Sequence, residues 1–335
     1  MGCPKPASGA ITVTEISVTV LPGGNLNLIK RHIAGDFIGQ VGRHDQREIF
    51  AEPAGDPGLI GPGSVSWELH SDVAAIAIAG TGSVVMELLH PSVMAGVGQQ
   101  SNYREQPYRR ARATFGWVVT TTFGSTAAAE LLIERVKRMH ARVNGTRPDG
   151  VPYRALDPEL IAWVHTCIPW GVMNAYERFN RPLTLAEKDR YLAEQSVIGL
   201  MSGAEAVPTS VAELEAFVEE MRPKLEVTDL LREFIDFLID GPLGALTPPR
   251  PFARPSKRLQ VASGMSLTPR WAQEMTGFDR PEIAQRLLHS TSMQAYARAL
   301  RWSFGTPPWR ALADERMDVA EAADPASAPR VAMAR

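Results

Sequence analysis

Residues 160–176 read LIAWVHTCIPWGVMNAY, one of the two longest stretches of the chain without a charged side chain. A bilayer span needs roughly 20 consecutive apolar residues; this stretch is shorter and carries His165, Pro169, Gly171 and Asn174. It reads instead as the body of a buried helix that Asp157 caps and Pro158 opens. A kink is expected at Pro169, where the ring clashes with the preceding turn and one backbone bond is lost. A helix apolar on most sides needs other helices around it, which sets the reading of the rest: an all-α chain with no membrane span.

Neighbouring segments supply those helices. VAAIAIAGTGSVVMELLH (73–90), capped by Ser71 or Asp72, has no charge before Glu87 and should be buried on most sides. After Pro91, SVMAGVGQQS runs to a break near Gly98, and QPYRRARATFGWVVTTTFG (106–124) is a helix opened by Pro107 and ended by Gly124. Ser125 or Thr126 caps the next one, which runs through ERVKRMHARVNG (134–145) to a stop at Gly145 and the turn TRPDGVPY. Further helices fit 183–201, 210–222, 227–239 and 279–303. Residues 1–56 are expected to form an irregular arm with one short strand in ITVTEISVTV, and 57–310 a single helical domain. Residues 241–258 read as a proline-rich surface loop and 311–335 as a mobile tail.

A chain of 335 residues with 44% apolar composition can bury a full core. Its net charge of −2 comes from interspersed acids and bases, which argues against nucleic acid as a partner. Two cysteines, Cys3 and Cys167, support neither a disulfide framework nor a zinc site. The N-terminus lacks the basic start and apolar run of a secretory signal, so a reducing, cytoplasmic compartment is the expectation. A small-molecule substrate is expected, while a homo-oligomer and a redox partner are left open.

The chemistry narrows by elimination of motifs. No GxSxG elbow and no HExxH occurs, so hydrolytic-triad and zinc-protease readings lack support. The histidines are His32, His44, His70, His90, His140, His165 and His289, four of them on helices that read as buried. A lone inward histidine is ordinarily a hydrogen-bonded core residue, but several together point toward a metal. On the helix containing 134–145, Leu132, Val136, Met139 and Val143 form an apolar stripe, with His140 at its edge beside Ile133 and pointing inward. Glu134, Arg135, Lys137, Arg138 and Arg142 occupy the opposite arc. Glu87 and His90, at i, i+3, have the spacing of a carboxylate-bridged iron site, but the required second pair is missing. Haem needs only one inward histidine and a basic or hydroxyl partner for its propionates. Arg110 and Thr114, at i, i+4, fit that need, whereas Arg109 and Arg112 read as a solvated basic turn.

Taken together, GPGSVSW (61–67), LLHPSVMAGVGQQS (88–101), RARAT (110–114), TTFGS (121–125), HARVNG (140–145) and WVH (163–165) resemble the bacterial oxygenase family named after MpaB. The rubber-cleaving latex clearing protein is a distant relative of that family, and the resemblance spans roughly residues 57–240. It implies haem b in an all-helical, globin-like core, with His140 as the proximal iron ligand and Arg110 with Thr114 supporting the cofactor. The implied activity is that of a haem-dependent oxidoreductase using O2 or peroxide to attack a C=C or C–H bond of a small, largely apolar substrate. His165 is the remaining candidate for a pocket residue, against a plain structural hydrogen bond to backbone. Ala113 stands where the rubber enzyme has a lysine, so that enzyme's resting ligation does not carry over; Gln100-Ser101 stands where many members read His-Ser. Two rival readings remain: a non-catalytic haem carrier or sensor with His90 or His165 as second axial ligand, and a non-haem iron oxygenase using Glu87 and His90.

Overall fold

The computed structural model of the chain describes residues 24–241, 253–279 and 292–323. Its first half runs α1 (Gly24–Val41), α2 (Arg47–Phe50), α3 (Val65–Ser71), α4 (Val73–Leu88), α5 (Pro91–Gln100), α6 (Pro107–Phe123) and α7 (Thr126–His140). A hairpin of β1 (Asn144–Thr146) and β2 (Pro152–Arg154) follows, pairing Gly145 with Tyr153 in antiparallel register. Then come α8 (Pro158–Phe179), α9 (Leu185–Ser202), α10 (Val211–Met221), α11 (Asp229–Asp240), α12 (Ala253–Met265), α13 (Arg270–Thr276), α14 (Ser292–Phe304) and α15 (Pro308–Ala323). The architecture is all-α.

The core is built on α4 and α8, which pack along each other. Asp72 starts α4 by accepting from the Ala74 and Ala75 amides at 3.0 and 3.4 Å, and Arg301 of α14 grips the same carboxylate, Nη2 to Oδ2 at 2.7 Å. Because α4 is rich in alanine and glycine, its neighbours approach closely. A Cβ added at Gly82 would overlap the Gly264 carbonyl oxygen of α12. One added at Gly171 of α8 would overlap the Ser83 hydroxyl. The helix α8 starts on Asp157, whose Oδ1 accepts from the Glu159 amide at 3.0 Å, and continues through Pro169 rather than ending there.

Several expectations need correction. Residues Gly24–Val41 form a helix, not an irregular arm, because Phe37 is held edge-on against Phe115 and Phe304 at 5.6 Å each. The strand expected at 11–20 lies outside the described residues. Part of the expected tail is the packed helix α15. Arg316 is fully buried there, donating from Nε to the Asp56 carbonyl at 2.7 Å and from Nη1 to those of Phe50 and Phe123 at 2.8 and 3.0 Å. Residues 242–252 of the proline-rich loop and 280–291 of the 279–303 helix lie outside the described residues, as does the chain beyond 323. The break expected near Gly98 comes just after Gln100, where α5 ends, and a second, unexpected one falls at Leu89–His90, since a residue before proline is steered from helical to extended backbone, and His90 has φ −78 and ψ 118. The helix bearing His140 stops at His140 itself, and Gly145 belongs to the hairpin.

Among the described residues no single helix is long and apolar enough to cross a membrane; α3 and α4 reach that composition only jointly, across an 88° bend.

Candidate functional site

Only Gly124 and Ser125 separate α6 from α7, so the two helices run antiparallel and the start of α6 faces the end of α7. That geometry places Arg110 near His140. On α7 the buried side is Ala129 and Ile133, and His140 continues that side, half-buried, whereas Met139 of the expected stripe is 54% exposed. Burial, and after it the charge of Arg110, holds the His140 imidazole below its ordinary pKa. It is therefore neutral at pH 7. Among the described residues none makes a hydrogen bond to either of its ring nitrogens.

Arg110 is similarly half-buried, and among the described residues its guanidinium has no hydrogen bond and no carboxylate at ion-pair distance. Burial lowers its pKa and the charge of Glu87 works against that. Glu87, on the last turn of α4, is buried; burial pushes its carboxyl up to about 7, with Arg110 pulling the other way. Its charge also raises the Cys167 thiol on α8, after the larger effect of burial. Four helices thus converge on a group of ionisable side chains that influence one another's charge yet share no side-chain hydrogen bond among the described residues, which is uncommon for a structural core. Thr114 lies one turn beyond Arg110, exposed, with no internal partner for its hydroxyl among the described residues.

Arg110, Thr114, Trp117 and Thr121 share one face of α6, a line about 16 Å long at 1.5 Å per residue. Its far end opens on a cavity of about 10 Å³, room for one water-sized molecule, lined in part by Trp117, Thr121, His165, Ile168, Gln195 and Ile198. His165 Nε2 donates to the Gln195 carbonyl at 2.8 Å, the backbone bond weighed for it from sequence; its pKa falls to about 4 through burial. That bond fixes the tautomer and leaves Nδ1 as the lone-pair nitrogen. Gly199 makes room for the ring, since a Cβ there would sit 2.6 Å from its Cδ2. His70, also at the cavity, has both nitrogens engaged, Nδ1 with Thr122 Oγ1 at 2.7 Å and Nε2 with Tyr191 Oη at 2.8 Å.

Glu87 and His90 are not brought together. Because α4 ends at Leu88, the i, i+3 alignment is broken between them, and His90 Nδ1 caps α5 by accepting from the Ser92 amide at 3.2 Å. Among the described residues no three His, Cys, Asp or Glu side chains gather into a metal-binding group.

Residues 67–302 match the family described as ER-bound oxygenase mpaB/B'/Rubber oxygenase, catalytic domain. The chain belongs to this oxygenase family. It is also similar to an uncharacterised protein of Mycobacterium bovis and one of Mycobacterium tuberculosis, each 29% identical over 121 residues, 35% of this chain. The chain spans about half (48%) of the length of those relatives. No solved structure matches. The matched segment of this MpaB-type chain contains Glu87, Arg110, Thr114, His140 and His165, so the converging site falls within the catalytic domain. Sequence reasoning placed Glu87 only in the rival iron site. Its approach to Arg110 depends on how α4 and α6 pack, which no local spacing announces.

Proposed function

We propose that the chain is a haem b-dependent oxygenase in which His140 ligates the iron and Arg110 and Thr114 support the cofactor. The observation that carries this reading is the pairing of a neutral imidazole with a guanidinium on two adjacent antiparallel helices, the one with no hydrogen-bond partner and the other with no counter-ion at contact distance among the described residues. That donor set would suit haem b, with His140 holding the iron and Arg110 and Thr114 holding the acidic substituents. When bound, haem supplies the activation of O2 or peroxide.

The chain's own residues do the rest. His140 offers its lone pair at neutral pH, because burial and Arg110 disfavour its protonation. Arg110 presents a planar fork that suits a propionate, and Thr114 adds a hydroxyl one turn away. Trp117, Val118, Ile168 and Ile198 give the cavity apolar walls that suit a small, largely apolar substrate attacked at a C=C or C–H bond, and because the space holds only one water-sized molecule as it stands, those walls must part to admit it. His165, a weaker candidate, borders that space with its Nδ1 lone pair.

The test is an absorption spectrum of the purified protein and of His140→Ala. A Soret band lost or strongly reduced in the variant supports the assignment; full haem content with an unchanged spectrum refutes it. Added imidazole or cyanide separates an oxygenase, whose spectrum would shift as the iron takes up the added ligand, from a carrier or sensor in which His165 or His90 would also hold the iron and the spectrum would not shift.

A further inference from the structure

The side of α7 that faces away from the core carries Leu131, Arg135 and Arg138, and Arg142 extends the line just past the helix end, at i, i+4, i+7 and i+11. All four are exposed, Leu131 by 67%, and Met139 beside them is exposed as well. Among the described residues none of the three arginines has an ion pair or a side-chain hydrogen bond, whereas neighbouring Lys137 is tied to Glu134 at 2.9 Å. Favourable placement at the negative end of the helix dipole accounts for Arg138 in the last turn. It does not account for Arg135, mid-helix.

The stripe has a defined position relative to the site. It lies diametrically opposite Ala129, Ile133 and His140 on the same helix, so one helix thickness, about 10 Å, separates the outer surface from the proposed iron ligand. Arginine and methionine are the residue types enriched at protein interfaces, and a row of guanidinium forks complements carboxylates. We propose that the outer face of α7 docks an acidic one-electron carrier protein, such as an iron–sulfur protein, which passes electrons inward past His140. In each transfer the carrier is oxidised by one electron and the ferric iron reduced by one, with no bond made or broken. The electron step rests on the haem reading above; the docking step rests on the arginines alone.

The experiment uses the full chain and an acidic [2Fe–2S] ferredoxin as probe, with binding followed by calorimetry at low and high salt. Wild type is expected to bind at low salt and to weaken as salt screens the charges. Arg135→Gln/Arg138→Gln/Arg142→Gln should weaken binding at least about tenfold and flatten the salt dependence, as should the single reversal Arg138→Glu in part. Arg298→Gln, an exposed arginine on α14, should leave binding unchanged. In haem-loaded protein the triple variant should slow reduction by ferredoxin at least about tenfold while reduction by dithionite and the absorption spectrum stay the same. No ferredoxin binding at low salt, equal binding by the triple variant, or arginine-dependent capture of phosphatidylglycerol vesicles in place of ferredoxin would each overturn the proposal. A wild type with no Soret band that still binds ferredoxin through these arginines sinks the haem reading and the electron step, and leaves the docking face standing.

Discussion

Arg110 and His140 face each other across the α6–α7 pair, and the cation adds to burial in keeping the imidazole deprotonated. Removing the charge should act in two directions at once. In Arg110→Gln the His140 pKa is expected to rise toward 6.5, seen as a shifted titration of its ring protons by NMR. Haem retention should fall about 10- to 100-fold, the worth of a charge-assisted hydrogen bond, measured as transfer of haem to apomyoglobin. Retention equal to wild type would remove Arg110 from the cofactor site.

Glu87 predicts a gain in stability from losing a charge. Its folded-state pKa of about 7 lies above the ordinary 4.5, so the fold favours the protonated carboxyl. The sign follows: the penalty is absent below about pH 4.5, grows as pH rises, and is complete above about 7. Glu87→Gln keeps the shape without the charge and should stabilise the protein at pH 8 by about 1–3 kcal/mol, with the gain vanishing near pH 4.5. Urea unfolding at the two pH values measures it. A loss of stability at pH 8 would mean that the carboxylate is needed where it stands.

Much of this architecture was legible because it is local. Asp72, Asp157 and Ser125 mark helix starts through side-chain bonds made within three residues, Asp72 and Ser125 being the members of the pairs Ser71/Asp72 and Ser125/Thr126 that cap, and Pro107 marks one through its fixed φ at the first helical position. The all-α class followed from them. The failures at the two ends of the chain depend on contacts far along it. Nothing near Phe37 shows that Phe304 will hold it, and Arg316 looks like a surface residue until the carbonyls of Phe50 and Phe123 surround it. At the site, helical spacing put Arg110 and Thr114 on one face, but the convergence of Glu87 with Arg110, and the cavity between α6, α8 and α9, come from packing.

Acid should unfold the protein early. His70, His165 and His90 have pKa values of about 3, 4 and 4, all below the ordinary 6.5, so the unfolded chain takes up protons that the folded one refuses. Stability is therefore intact above about pH 6.5 and lost progressively as pH falls toward 3, at up to about 1.4 kcal/mol per group and pH unit. The relief at Glu87 opposes only one such group. His70→Gln, which keeps a donor and an acceptor between Thr122 and Tyr191, should cost about 1–3 kcal/mol at pH 8 yet shallow the slope between pH 6.5 and 4. An unaltered slope in thermal melts would show that His70 is protonated without unfolding.

Two glycines of one helix should respond to the same substitution with opposite signs. Gly80 and Gly82 both sit inside α4, where glycine costs about 1 kcal/mol relative to alanine through backbone entropy. At Gly80 the position is exposed and an added Cβ meets nothing within 4 Å, so Gly80→Ala should stabilise by up to about 1 kcal/mol. At Gly82 the Cβ would overlap the backbone carbonyl of Gly264, which cannot rotate aside as a side chain could. Accommodating it means pushing α12 away from α4, so Gly82→Ala should destabilise by about 1–3 kcal/mol despite the same propensity gain. Paired denaturant melts decide it. If both variants are stabilised alike, α12 does not pack against α4 as closely as the Gly82–Gly264 contact requires.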